Sequence, residues 1–144
     1  MREYDNLLLK IKEEDPEHYS LRKVEPQTLQ EIQSLLTENE LILEFFVGDE
    51  VIAFIIQKDG MSVEKMLITK KELETKIKDI RKKIDPLQML SVSEPEWMLS
   101  VKKVANELYQ ILIRKLEPML NDKDLIIVPH GILHYLPFNA LYDG

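Results

Sequence analysis

The sequence predicts a mixed α/β fold: a three-stranded antiparallel meander flanked by amphipathic helices, leading into a strand of the parallel-sheet kind. Three observations carry this expectation. LILEFFV (41–47), VIAFIIQ (51–57) and SVEKMLI (62–68) are short runs rich in β-branched and aromatic residues, separated by Gly48–Glu50 and Lys58–Gly60, which is how strands joined by tight turns read. Two other stretches repeat apolar residues at intervals of three and four, the period of a helix with one buried face. LIIV (125–128) is apolar without alternation, the pattern of a strand covered on both faces.

In chain order, the first segment, Arg2 to about Glu14, reads as a short helix with a Leu7, Leu8, Ile11 stripe, ended by Pro16, whose ring removes a backbone donor. The remainder of residues 1–20 reads as a linker, a place where a preceding helical repeat would attach; residues 21–144 are expected to form the main body. TLQE (28–31) is a capping box, in which Thr28 and Glu31 satisfy each other's backbone N–H groups, and opens a helix over 28–37. Glu44, inside the first strand, is expected to face solvent or an edge. TKKE (69–72) is a second capping box, followed by Leu73, Ile77, Ile80 and Ile84 at spacings of four, three and four. This helix should stop before Pro86, with residues 85–92 as a loop. SEPE (93–96) is a third box. The longest stripe follows, through Trp97, Val101, Val104, Leu108, Ile111 or Leu112, and Leu116, with Pro118 kinking or ending the helix and Asn121–Asp124 as a polar turn.

Composition bounds the function. The 144 residues are one domain or most of one, and 44% hydrophobic content gives a real core. With 19 basic and 26 acidic residues the net charge is −7, which argues against a nucleic-acid footprint and against an anionic membrane surface. The longest apolar runs are far short of the roughly 20 residues of a membrane-spanning helix. There is no cysteine, so disulfides, thiolate catalysis and Cys-ligated zinc are excluded for this chain. With no signal-peptide pattern, a cytoplasmic location is the expectation.

The carboxyl-terminal stretch VPHGILHYLPFNALYDG (128–144) holds two histidines four apart, His130 and His134. On a helix they would share a face, as in zinc-protease motifs. Pro129 precedes them, Gly131 interrupts and Pro137 follows, and the glutamate of HExxH is missing because position 131 is Gly. As a general base, either would need a nucleophile. Ser91, Ser93 and Ser100 lie without the glycines of a nucleophile elbow. The favoured reading is structural: His130 bonding backbone carbonyls where the strand ends, His134 packing on Tyr135 or Phe138, and Leu136, Pro137, Phe138, Ala140 and Leu141 closing the core. No catalytic, metal or cofactor-binding residue is assigned, and no cofactor is expected.

The same stretch closely resembles the CHAT domain, a caspase-like cysteine peptidase family often found after tetratricopeptide repeats. That family's apolar strand is followed by Pro-x-Gly-x-Leu-x-x-Leu-Pro-Phe-x-Ala-Leu, matched here at Pro129, Gly131, Leu133, Leu136, Pro137, Phe138, Ala140 and Leu141, with His130 and His134 between. DPEHYSL (15–21), LILEFFVGDEVIAFIIQKDG (41–60) and ELYQILIRKLEPML (107–120) resemble the family's lead-in, meander and preceding helix. The resemblance implies that 125–128 is the first central strand of a caspase-like sheet. It also implies a His–Cys dyad, whose thiolate attacks a peptide carbonyl while the imidazole handles protons. In the family those residues lie further on, in Thr-His-Gly and Ala-Cys motifs that do not occur here, and neither His130 nor His134 occupies the catalytic position.

The function this implies is the N-terminal, scaffolding or regulatory part of a CHAT peptidase domain, inactive alone. Whether the whole chain counts as an enzyme stays open. The implied partner is protein: the missing carboxyl-terminal half, a helical-repeat domain or a second copy, any of which would cover Leu125–Val128. The competing expectation is a non-enzymatic protein–protein interaction module, a split subunit or pseudo-peptidase.

Overall fold

The computed structural model describes residues 27–89, 93–120 and 122–144. The helix and linker expected within residues 1–20 lie outside them. The chain divides into two units, Met1–Ile32 and Gln33–Gly144, each taken by itself. In the first, the described feature is the start of helix α1 (Leu29–Leu35). The Thr28 hydroxyl accepts the Glu31 N–H at 3.3 Å while the Glu31 carboxylate accepts the Thr28 N–H at 2.7 Å, as the TLQE pattern predicts. The helix stops at Leu35, two residues earlier than expected.

The second unit is a mixed α/β fold. Strands β1 (Glu40–Val47), β2 (Glu50–Gln57) and β3 (Gly60–Thr69) form the expected antiparallel meander. Helices α2 (Lys70–Lys83), α3 (Pro86–Met89) and α4 (Glu94–Leu112) follow, then a 3₁₀ turn at Arg114–Leu116, helix α5 (Glu117–Leu120) and strand β4 (Asp124–Val128). β4 returns beside β1 and runs parallel to it, Leu125 opposite Leu41 and Ile127 opposite Leu43. The strand order is β3-β2-β1-β4, so β1 is interior and β4 is an edge. No helix among the described residues is long and apolar enough to cross a membrane.

Each element has a local cause. α2 is opened by the TKKE box, with both hydrogen bonds between Thr69 and Glu72 present, and Lys and Arg in its last turn complement the helix dipole. Its Leu73, Ile77 and Ile80 are fully buried. They pack in one cluster with Val104, Ala105, Leu108 and Leu112 of α4 and with one face of the sheet: Leu41, Leu43, Phe45, Val47, Val51, Ala53, Ile55 and Met66. Fully burying each such Leu or Ile is worth about 1.5–3 kcal/mol. Trp97 joins the two helices by donating its indole N–H to the Lys83 carbonyl at 2.6 Å.

Several expectations fail for identifiable reasons. The 85–92 loop contains the short helix α3, whose turn opens when Asp85 accepts the Leu87 N–H. The SEPE box is incomplete: Ser93 bonds the Glu96 carboxylate, side chain to side chain, rather than capping backbone. The long stripe does not stay on one helix. α4 ends at Leu112, and Leu116 is buried from the 3₁₀ turn instead, so Pro118 lies in the first turn of α5 with no helical partner to lose. Leu125–Val128 is not covered on both faces; Leu125, Ile126 and Val128 are exposed. A continuous apolar run records what a strand is suited to, and on an edge strand that suitability is unmet.

Candidate functional site

The segment 129–141 follows β4 and sits at the carboxyl ends of the two parallel strands, the edge where open α/β sheets place their ligands. Its apolar positions act as anchors. Leu133 is fully buried and Leu136 nearly so, while Ile132, Phe138 and Leu141 pack against the same cluster. Phe138 stacks on Phe45 of β1 with ring centroids 5.9 Å apart. Two 3₁₀ turns, Gly131–Tyr135 and Phe138–Ala140, bring these side chains inward. They are closed by Leu133 N–H to the His130 carbonyl at 3.2 Å and Ala140 N–H to the Pro137 carbonyl at 2.9 Å. Gly131 has φ +58°, a left-handed conformation that costs an L-residue roughly 1–2 kcal/mol.

His130 is tied down differently from the expectation. It does not donate to a carbonyl; its Nδ1 accepts the Val47 backbone N–H at 3.0 Å. The hydrogen therefore sits on Nε2, the tautomer fixed by that bond. The ring stacks on Phe46, centroids 5.0 Å apart. A Cβ at Gly48 would meet the Phe46 ring at 2.8 Å, so a larger residue there would displace the ring from this stack. His134 is exposed and enters no hydrogen bond or ring stack, so its expected packing on Tyr135 or Phe138 is not formed. Tyr135 instead lies under the Arg81 guanidinium at 5.0 Å, beside an open cleft lined by Ile84, Asp85, Pro86 and Pro137.

The structure thus joins His130, Gly131, Leu133, Leu136, Pro137, Phe138, Ala140 and Leu141 into one lock that ties the segment after β4 to β1 and the core, with Pro129 leading into it, and leaves His134 out. Its chemistry is modest. The Nδ1 of His130 is already engaged, no hydroxyl shares a hydrogen bond with either histidine, and no three His, Asp or Glu side chains converge on a metal-sized space among the described residues. Sequence reasoning missed Phe46, Val47 and Arg81 as partners of this segment. No protein-family model matches the chain, and no curated protein matches it.

Proposed function

We propose that this chain forms the N-terminal, scaffolding part of a caspase-like CHAT peptidase domain and performs no hydrolysis by itself. One observation carries the reading. β4 is a parallel strand, apolar at four of its five positions, whose outer edge pairs with nothing among the described residues. A continuous apolar run of this kind is suited to a strand buried on both faces, and an unpaired apolar edge is a template for another strand. The lock at Gly131–Leu141 is consistent with this role, because it fixes β4 in the register a neighbour would read.

In the completed domain the nucleophilic thiolate and the imidazole that serves it come from other segments. The contribution of this chain is positional: β1 and β4 set the plane of the sheet, and His130, Phe46 and the two 3₁₀ turns shape the carboxyl-end rim. The test is the gene downstream of the Gly144 codon. It should encode a strand followed by Thr-His-Gly and a further strand followed by Ala-Cys. The longer product should cleave peptides and lose that activity when the cysteine is replaced by alanine, while the 144-residue chain should cleave none. A stop codon directly after Gly144, or peptidase activity in the cysteine-free chain, contradicts the reading.

A further inference from the structure

The face of the sheet opposite α2 and α4 is apolar and, among the described residues, open except toward one end, where Ile56 is buried and Ile42 half-buried. Alternation along the strands and the registers put Ile42, Glu44 and Phe46 of β1, Ile52, Phe54 and Ile56 of β2, Met61, Val63 and Lys65 of β3, and Ile126 and Val128 of β4 on that side. Phe46, Met61, Val63, Ile126 and Val128 are between 40% and 51% exposed, and none of the five belongs to the core cluster. Contiguous exposed apolar surface of this kind marks an interaction site.

Its charge is one-sided. Glu44 stands in the middle of the face, with Phe54 opposite on β2 and Val128 opposite on β4. Lys65, the cation of the face, is taken by an ion pair with Glu50, and Glu44 has no ion-pair partner among the described residues. At one end Glu40 lies directly opposite Asp124, two like charges on neighbouring strands, an arrangement that is destabilising when left alone.

We propose that this face docks an amphipathic helix of a partner protein whose apolar stripe carries a lysine or arginine opposite Glu44. A helix fits because the other face of the same sheet is already packed by helices and an amphipathic helix presents one apolar stripe. The four strands span about 14 Å between the outer axes, room for one helix about 10–12 Å across. A second copy is disfavoured, since a two-fold axis through the centre of the face would bring Glu44 against its own copy. An anionic membrane is disfavoured for the same reason. The site is distinct from the β4 edge, so its failure would leave the peptidase reading standing.

The probe is a synthetic helical peptide of about 18 residues, about 27 Å long, matching the roughly 26 Å of an eight-residue strand. It carries leucines along one stripe and a single central lysine there; a twin carries glutamate instead. Binding to the full chain is read by fluorescence anisotropy. The lysine peptide should bind about tenfold or more tightly than its twin, Glu44→Lys should reverse that preference, and Val63→Asp should abolish binding of both. Glu44 and Val63 are exposed, and circular dichroism melts check that both variants stay folded. Equal binding of the two peptides, no binding of either, or no response to Glu44→Lys overturns the proposal. A dimer in sedimentation that Val63→Asp dissolves would also overturn it, by making a second copy the occupant.

Discussion

The two faces of one sheet differ sharply in what covers them. Toward α2 and α4, Leu41, Leu43, Phe45, Val51, Ala53 and Ile55 are at most 1% exposed. On the other side, Phe46 of β1, Met61 and Val63 of β3 and Ile126 and Val128 of β4 are 40% to 51% exposed, Ile56 of β2 is buried, and the face carries Glu44 at its centre. A strand offers both faces with equal backbone geometry; what separates them here is the supply of partner surface. The lesson is that hydrophobicity in a strand reports capacity for burial, while burial itself depends on which helices the chain brings back to the sheet.

Replacing core residues should produce the largest effect. Leu133→Ala removes a fully buried anchor of the segment after β4 and should cost about 2–5 kcal/mol in denaturant unfolding. Val63→Ser on the open face should change stability by less than about 0.5 kcal/mol. Comparable losses at the two positions would mean that the open face is covered in solution.

Intermediate effects should come from the joint between β4 and β1. Gly131→Ala keeps the space, since the nearest atom to a Cβ is 3.8 Å away, but forces φ +58° on an L-residue. A loss of about 1–2 kcal/mol follows. His130→Ala leaves the Val47 N–H without its acceptor and should cost about 0.5–1.5 kcal/mol, with a larger amide exchange rate at Val47 as the specific readout. An unchanged Val47 amide would remove His130 from the lock.

The smallest effect should be on pH. Hydrogen bonds from the Thr69 side chain and backbone hold the Glu72 carboxyl below its ordinary value, and the Lys76 ammonium does the same for Glu107 at 2.6 Å. A carboxyl depressed in the folded state adds stability above the unfolded value of 4.5 and loses it as pH falls through the folded one. Thermal midpoints should therefore fall modestly between about pH 5 and pH 3, and Glu72→Gln should flatten that slope.

Much of this was legible in the sequence. Thr69 and Glu72, the Leu73–Ile77–Ile80 spacing and the turns at Gly48 and Gly60 gave α2 and the meander because local chemistry decides them. β4 was legible as a strand left in need of cover; its parallel pairing with β1 was not, because its neighbour is set by topology rather than by Leu125–Val128. The tertiary partner of His130 was equally hidden: Val47 lies 83 positions away. His134 shows the converse, a residue that a motif-like spacing singles out and that the fold leaves in solvent.

The most direct measurement is methyl NMR of the full chain with a soluble paramagnetic probe. Resonances of Met61, Val63, Ile126 and Val128 should broaden strongly while those of Leu43, Val51, Ile55 and Leu108 stay sharp, as expected for a sheet with one packed face and one face awaiting a partner. Equal protection of both sets would show that the second face is already covered, and would contradict the account of one sheet with one packed and one open face.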